Sequence, residues 1–530
     1  MHTLDSTMLV DAHGVPDGSV MAADVCIVGG GAAGITIARE LSHRSFRVAL
    51  LESGGLTADE ATQSLYGGET RGVPYFPLDA IRTRARYFGG TTNEWAGECR
   101  PLDPMDFDHR AWVPHSGWPI GPADLLPFYG RAQELCQLGP FAYAIEDWLR
   151  HGIRPIAFPG ERLRSLTLHQ SPPTRFAEAY GDDIRGADNV TAYLNASVVE
   201  LEAPAPSARI HRARVARLSS GGFHVEARLF VLAAGGIENA RLLLMSRSAA
   251  PAGLGNAHDQ VGRYFMEHLY LDRAASILAP KGGIDAFYTD SRLLGGYRVR
   301  GLVGLTAAVQ QQERLTNFCA IFDEETAQAS ARWGRELLGA LARREPPPAG
   351  GLAHLRNVIS SLAGAGLTRV RGDRRPRRRR LYVVKNVMEQ APNPDSRVVL
   401  SEARDRLGCP RVVLDWRLSA IDRRTAHRAH VILREELARA GIGRLRSAMG
   451  RADGPWPRGL RGARHHMGTT RMSRDPRHGV VDADCRVHGT ENLYVAGSSV
   501  FPTSGSANPT LTIVALALRL ARRIESALGA

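Results

Sequence analysis

The sequence predicts an α/β protein in which separated parts of the chain share one mainly parallel sheet, while an α+β region carries an antiparallel sheet. Short apolar runs at residues 25–28, 229–233 and 492–496 each lead into glycine, as buried parallel strands often do. A helical pattern follows each of them along the chain. Between these units, residues 397–400 and 410–416 alternate in polarity, which is typical of antiparallel strands with one face in water.

The first unit combines a strand, a glycine-rich turn and a helix. Gly29, Gly31 and Gly34 follow the run 25–28 at G-x-G-x-x-G spacing. In this pattern the first glycine permits a tight turn, the second lets backbone amides approach phosphate oxygens, and the third lets the helix pack on the strand. The N-terminus of a helix favours an anion through its free N–H groups and its dipole. The unit therefore predicts a pocket for a dinucleotide pyrophosphate; an ordinary glycine-rich turn is the alternative.

A second strand supports the dinucleotide interpretation. The apolar run 48–51 ends at Glu52, which follows Gly29 by 23 residues. This is near the spacing at which a carboxylate accepts hydrogen bonds from a ribose. Strand, glycines, helix, second strand and acid thus occur in the order that such a fold requires.

The two later units extend the predicted sheet. Residues 229–233 lead into a turn of small residues and a helical pattern over ENARLLLM. Residues 492–496 lead into a further glycine turn, and a helix with one apolar face is predicted after Asn508 and Pro509. These distant strands are expected to lie side by side.

Two domains are expected because 530 residues exceed what one hydrophobic core usually serves. The composition, 44% hydrophobic and 23% charged, is that of a globular chain and excludes a disordered one. The first domain is expected to be discontinuous, and the second to form a cap over it. The expected ranges are 1–100, 190–265 and 460–530 for the first domain, and 101–189 and 266–459 for the second, with a basic insertion at about 335–380.

No targeting or membrane-spanning segment is expected. The first 20 residues have neither a basic start nor an apolar stretch of the kind that export signals carry. The apolar stretch at 511–518 is too short to cross a bilayer. We therefore expect a cytoplasmic protein.

The net charge of +13 could suggest a nucleic-acid partner, but its distribution argues against one. Of 67 basic residues only Lys281 and Lys385 are lysines, and the arginines are spread along the whole chain. One dense patch, Arg374 to Arg380, lacks the interleaved aromatic residues that stack on bases. We expect a solvated insertion there, with an anionic partner or a membrane surface as the alternative. Six scattered cysteines without C-x-x-C spacing predict free thiols and no metal site.

Several ordered motifs together resemble one family. They are VGGGAAG, FGGTTNEWAG, AAGGIENARLLL, HHMGTTRM, GVVDADCRVHGTENLYVAGSSVFPT and ANPTLT. Their order resembles the glucose-methanol-choline (GMC) oxidoreductases, most closely the branch with pyranose oxidase and the large FAD subunits of bacterial sugar and gluconate dehydrogenases. The cap region resembles the family only loosely. The resemblance implies an interrupted Rossmann-like FAD-binding domain, an α+β substrate domain with an antiparallel sheet, and oxidation of an alcohol by hydride transfer to FAD.

The resemblance also assigns residues. His465 stands at the H-x-x-G-T position of the family's catalytic histidine, which makes the adjacent His466 the weaker choice. Asn508 stands where relatives carry a second histidine or, in this branch, asparagine. The residues that the resemblance and the dinucleotide pattern place at FAD are Gly29, Gly31, Ala33, Gly34, Glu52, Ser53, Gly89, Gly90, Thr91, Asn93, Glu94, Trp95, Val199, Ala234, Gly497, Ser498, Asn508 and Thr510.

The chemistry of alcohol oxidation gives His465 and Asn508 a role that does not depend on the family resemblance. Oxidation by hydride loss requires that the hydroxyl proton leave, and a neutral imidazole with a pKa near ~6.5 suits that task. An amide can hydrogen-bond the same oxygen as it gains negative charge. The alternatives are a structural histidine at 465 and, for Asn508, an N-cap of the helix that follows Pro509.

The mode of FAD attachment follows from one residue. Some pyranose oxidases attach FAD covalently through a histidine just before the tryptophan of the flavin loop, whereas Glu94 precedes Trp95 here. A carboxylate cannot form a histidyl bond to flavin. We therefore predict noncovalent FAD.

The substrate is predicted only by class: a sugar, glycoside, cyclitol or aminoglycoside. The polar residues 310–312, Asn317 and 323–325 are candidates for lining its site. The electron acceptor is dioxygen, a quinone or a redox protein. A non-sugar alcohol, a flavin-containing lyase without net redox change, and an arginine-rich flavin-binding protein that docks on an anionic partner are the alternatives.

Overall fold

The computed structural model describes residues 9–204, 209–248, 250–280, 283–325, 380–457 and 459–529. The predicted basic insertion at 335–380, including Arg374 to Arg379, lies outside the described residues apart from Arg380. In the described part, no helix has the length and apolar content that crossing a bilayer requires.

The described part of the chain contains α-helices of 4 to 20 residues and strands of 2 to 12 residues. The helices are α1 (Ala32–Glu40), α2 (Glu60–Gln63), α3 (Pro104–Phe107), α4 (Pro122–Leu135), α5 (Phe176–Arg185), α6 (Glu238–Met245), α7 (Ala286–Thr289), α8 (Ala307–Glu313), α9 (Ala420–Arg439) and α10 (Thr510–Leu528). The strands are β1 (Leu9–Asp11), β2 (Val20–Val28), β3 (Val48–Leu51), β4 (Gly68–Gly72), β5 (Glu98–Cys99), β6 (Leu163–Gln170), β7 (Val190–Leu194), β8 (Ser197–Glu202), β9 (Arg212–Ala216), β10 (Gly222–Leu232), β11 (His268–Ala279), β12 (Arg292–Leu294), β13 (Tyr297–Leu305), β14 (Phe318–Glu324), β15 (Arg380–Glu389), β16 (Arg397–Arg404), β17 (Pro410–Trp416), β18 (Arg444–Ser447), β19 (Leu460–Gly462) and β20 (Leu493–Val495).

The predicted parallel sheet is present and joins the three separated units. Its order is β1-β7-β3-β2-β10, all parallel, and beyond β10 lie β20 in parallel and the antiparallel pair β9-β8. Cys26 on β2 is in register with Ala49 on β3 and with Phe230 on β10. These runs are apolar throughout because the sheet is buried at its centre. The carboxyl ends of β2, β3, β10 and β20 therefore meet at one edge.

A second, antiparallel sheet has the order β18-β11-β15-β14-β13-β6-β5, with β12 on β13 and β19 on β11. It shares a separate apolar core with α9. The alternating segments predicted as antiparallel strands become β16 and β17, but they do not join this sheet. They form a small three-stranded sheet in which β17 lies parallel to β4.

We propose that the two domains follow the two large sheets. The domain boundaries drawn from these sheets then differ, at two short strands, from the boundaries expected from the sequence. β5 pairs with β6 and β19 pairs with β11, so both belong to the antiparallel sheet although their residues fall in the ranges expected for the first domain.

Candidate active site

A cavity of about 460 Å³ lies at the carboxyl edge of the parallel sheet. It reaches from the turn after β2 and the end of β3 to His465 and to the start of α10. Its volume is that of an ordinary ligand site. The ends of β2, β3 and β10 and the loop before α10 all contribute to its wall, although they lie hundreds of residues apart.

The glycine turn has the geometry of a phosphate cradle. Gly29 has φ 110°, and a Cβ there would lie 2.6 Å from the Ala233 carbonyl oxygen. Gly31 is the N-cap of α1 without any side-chain cap, and a Cβ on it would meet only the Cα of Gly90, at 3.9 Å. The first N–H groups of α1 are thus left for a ligand. Gly34 does not line the cavity; a Cβ there would overlap the Gly29 carbonyl, so this glycine serves helix packing.

Glu52 is buried at the end of β3, on the cavity wall. Its Oε2 accepts a hydrogen bond from the Gly30 N–H at 2.8 Å, and its Oε1 accepts one from the Gly54 N–H at 2.9 Å. Burial raises its pKa, and these two backbone donors oppose the shift. Since a carboxylate has about four acceptor positions, two remain for the hydroxyls of a ribose.

A buried cluster of charges beside Glu52 has no counterpart in the sequence analysis. Glu238 on α6 accepts from Arg84 at 2.7 Å, from Arg86 at 3.3 Å and from Arg241 at 3.2 Å. Burial alone would raise the pKa of Glu238, but the three arginines lower it to about 2. Arg86 also donates to Ser53 Oγ at 2.8 Å. The sequence feature that could have indicated this cluster is the presence of polar residues in the otherwise apolar helix α6.

The loop expected beside the flavin forms a 3₁₀ turn, Gly90–Asn93. Thr91, Glu94 and Trp95 line the cavity, whereas Gly89 and Asn93 do not. Asn93 holds the loop in place, because its Nδ2 donates to the Phe88 carbonyl at 2.9 Å.

His465 lines the cavity and is partly exposed. Its Nδ1 lies 2.8 Å from Nδ1 of His268, and its backbone N–H donates to Glu267 Oε2 at 2.9 Å. Burial lowers its pKa well below the ordinary value, and the nearby His268, His466 and Arg464 lower it further. The imidazole is therefore neutral at neutral pH, which is the form that accepts a proton.

His466 is 9% exposed and has a different environment. Its Nε2 lies 2.9 Å from the Tyr75 hydroxyl, which in turn donates to Glu267. Burial lowers its pKa to about 3. Both histidines border the cavity, but the Nε2 of His466 is engaged by protein and the Nε2 of His465 has no protein partner in the described ranges.

Asn508 lies on the wall at the start of α10. Its Nδ2 donates to the Glu98 carbonyl at 3.0 Å, which leaves one N–H and the amide oxygen for a ligand. The alternative role as N-cap is not what the structure shows. The N-cap residue of α10 is Pro509, and no side chain caps the helix.

Most of the residues assigned from the sequence share this one cavity. The cofactor residues that do not line it are Gly34, Gly89 and Asn93. Those that line it are Gly29, Gly31, Ala33, Glu52, Ser53, Gly90, Thr91, Glu94, Trp95, Val199, Ala234, Gly497, Ser498, Asn508 and Thr510.

The polar residues expected to line the substrate site lie elsewhere. Gln310 and Asn317 are fully buried, and Asn317 donates to Asp106 at 3.1 Å. Asp323 forms ion pairs with Arg300 and Lys385. None of these lines the cavity. The wall that His465 shares carries Glu98, Tyr270, Arg461 and Arg464 instead, which the sequence did not indicate because strand pairing brings the first three there.

The residues present fit FAD. An uncapped helix N-terminus, a buried carboxylate at the end of the second strand and a continuous cavity are what a dinucleotide requires. A family model for FAD dependent oxidoreductase matches residues 24–252. A model for the C-terminal part of GMC oxidoreductase matches residues 392–517, which include His465 and Asn508. The chain belongs to the GMC oxidoreductase family.

Relatives of this GMC oxidoreductase align along nearly its whole length. The 6'''-hydroxyparomomycin C oxidase of Streptomyces lividus is 27% identical over 96% of this chain and 92% of its own. The fructose dehydrogenase large subunit of Gluconobacter japonicus is 24% identical over 95% of this chain and 98% of its own. Among solved structures, pyridoxine 4-oxidase from Mesorbium loti superposes with a TM-score of 0.56 at 20% identity, over 94% of this chain and 98% of that one.

These findings confirm the predicted family, the FAD cofactor and the class of FAD-dependent alcohol oxidoreductase. They also confirm the fold class, an α/β FAD-binding sheet beside an antiparallel one.

Proposed function

We propose that this GMC oxidoreductase oxidises a hydroxyl group of a carbohydrate-like substrate, with His465 as the base and Asn508 as the residue that orients the reacting oxygen. The observation that supports it is the shared cavity: both side chains border the same space as the glycine turn and Glu52. FAD, when bound there, supplies the acceptor for the hydride that leaves the carbinol carbon.

His465 would take the hydroxyl proton on Nε2. Its lowered pKa keeps the ring unprotonated at neutral pH, so it is ready to accept. Its backbone N–H donates to Glu267, which fixes the residue on the cavity wall.

Asn508 would donate its remaining Nδ2 hydrogen to the same oxygen. The other hydrogen is held by the Glu98 carbonyl, so the amide is already oriented before a substrate enters. A fixed donor stabilises negative charge on oxygen without the cost of reorganisation.

A carbohydrate-like substrate is supported by the polar wall beside His465. Glu98, Tyr270 and Arg464 offer acceptors and donors there, as a substrate with several hydroxyls requires. The relatives whose names include paromomycin and fructose point to the same class. We also propose that the reduced flavin passes its electrons to dioxygen, a quinone or a redox protein.

The test is anaerobic addition of glucose, fructose, methyl glucoside, inositol and glucosamine to the FAD-loaded protein, with flavin absorbance as the readout. We expect bleaching with at least one of them. Ethanol and benzyl alcohol are added in parallel, and bleaching only by these simple or aromatic alcohols would overturn the carbohydrate class. Turnover without bleaching would indicate a lyase. A salt-sensitive gel shift without any alcohol oxidation would indicate a binding protein.

The His465→Ala variant tests the assigned base. Removal of a general base typically lowers the rate about 10²- to 10⁴-fold. We expect the variant to keep its yellow colour and to be reduced that much more slowly. Reduction at the normal rate would show that the base is another group, with His466→Ala as the matched comparison.

A further inference from the structure

We propose that His268 is a positioning residue that holds His465 in the tautomer with the proton on Nδ1 and a free lone pair on Nε2. The inference rests on the proposed role of His465 as base. It comes from the hydrogen bonds of His268, which is the first residue of β11. The His268 side chain contacts His465 but does not itself line the cavity.

The first step is the proton on His268 Nε2. This nitrogen lies 3.0 Å from the Gly505 carbonyl oxygen and 3.3 Å from that of Ser504. Carbonyl oxygens only accept hydrogen bonds, so Nε2 carries the hydrogen and donates it.

The second step is the charge of His268. The side chain is fully buried, and burial lowers its pKa to about 4. Glu389, its cross-strand neighbour, acts in the opposite direction but is itself held in a buried ion pair with Arg110 at 2.5 Å and 2.8 Å. His268 is therefore neutral at neutral pH, and its Nδ1 carries a lone pair.

The third step is the effect of this Nδ1 lone pair on the tautomer of His465. The two Nδ1 atoms lie 2.8 Å apart, a distance that requires one donor and one acceptor. Since His268 Nδ1 is the acceptor, His465 Nδ1 is the donor. A neutral His465 then has its lone pair on Nε2, the nitrogen without a protein partner among the described residues.

The chain of hydrogen bonds thus runs from His465 to His268 and on to the backbone between β20 and α10. In the other tautomer the two Nδ1 lone pairs would face each other, and Nε2 would present a hydrogen to the substrate. That form could not accept a proton. The backbone carbonyl of Gly505 therefore sets which ring nitrogen of His465 reacts.

Ring-nitrogen NMR of protein labelled with ¹⁵N-histidine and loaded with FAD tests the tautomer without any substrate. The His465→Ala spectrum assigns the signals of His465. We expect a protonated Nδ1 and an unprotonated Nε2 at neutral pH. A protonated Nε2 in the wild-type protein would overturn the inference, even if sugars reduce the flavin.

Two amide variants separate positioning from packing. In His268→Asn the amide oxygen lies near the former Nδ1 and keeps an acceptor for His465. In His268→Gln the amide lies near the former Nε2, so the bond to Gly505 is kept and the acceptor is lost. We expect His465 to retain its tautomer in the Asn variant and to gain protonated Nε2 in the Gln variant. Equal spectra in both variants would contradict the relay.

The kinetic readout uses the sugar of the test panel that reduces the wild-type protein fastest. In His268→Gln we expect the limiting reduction rate to fall about 10²-fold or more, with little change in substrate Kd and FAD content, and with substantial recovery in His268→Asn. His430→Leu is the matched control, because His430 is equally buried but bonds Asn386 and Ser447 away from the cavity. A loss in Kd alone, or an equal rate loss in the control, would indicate a structural role.

Discussion

The ring of His465 lies beside His268, His466 and Arg464, and burial together with these neighbours lowers its pKa well below 6.5. A base works in its unprotonated form, so its contribution is lost as the pH falls through the pKa of the folded protein. Because that pKa is lowered, the loss is displaced to acidic pH. Two other titrating groups contact this residue: Glu267, whose pKa burial raises to about 7, and His268, whose pKa burial lowers to about 4.

We expect the limiting rate of flavin reduction to stay level from neutral pH to below 6.5 and to fall only at more acidic pH. The measurement is anaerobic stopped-flow reduction between about pH 5 and 8. The Glu267→Gln variant removes the neighbouring group that titrates nearest neutral pH, and its rate should stay level over the same range, to below pH 6.5. A midpoint at 6.5 or above in both proteins would show that His465 is not the base.

Residue 94 is the basis for the prediction that FAD is held noncovalently. Glu94 precedes Trp95 on the cavity wall and cannot form the histidyl bond that some relatives are expected to have. We expect acid precipitation to release yellow flavin into the supernatant. A yellow pellet that survives repeated washing would refute noncovalent binding, and mass spectrometry of its peptides would locate the attachment.

The turn between β2 and α1 shows that two glycines of one motif act differently. Gly31 faces open space and has negative φ, so a larger side chain fits the fold but occupies the phosphate cradle. Gly34 faces the Gly29 carbonyl, so even a methyl group there displaces the helix.

We therefore expect Gly31→Val to fold as a colourless apoprotein, with a thermal midpoint close to that of wild-type apoprotein. Gly34→Ala should be destabilised with or without FAD, by about 1–3 kcal/mol or more because the clash is with backbone. The measurements are FAD content and thermal midpoint. Gly130→Val, at an exposed helical site with free space around it, is the control. Full FAD content in Gly31→Val would contradict the cradle.

Elements with a local signal were predictable from the sequence. The run 48–51 matches β3 residue for residue, and the pattern after Asn508-Pro509 matches α10, which begins at Thr510. The sheet that β16 and β17 join was not predictable, since β17 pairs with β4 across more than 300 residues. Strand pairing of that kind leaves no periodic trace in either segment.

At the scale of the whole molecule, the candidate site depends on contacts between distant segments. The motifs indicated His465, but its support by His268 and Glu267 arises because β11 begins beside it. Neither neighbour carries a spacing rule that sequence analysis can use. The same holds for the Glu238 cluster, which joins the loop at Arg84, α6 and, through Arg241 and Asp405, the turn between β16 and β17.

The Glu238 cluster predicts how the stability of the folded protein changes as the pH falls. The pKa of Glu238 is lowered from 4.5 to about 2, so its contribution is present above pH 4.5 and is lost as the pH falls toward 2. The difference corresponds to about 3 kcal/mol. Glu238→Gln should therefore lower the thermal midpoint at neutral pH, and the gap should close in acid. Glu134→Gln, which breaks an exposed pair with Arg131, should change little. A gap that persists unchanged at pH near 2 would show that Glu238 stabilises the fold by packing and not by its charge.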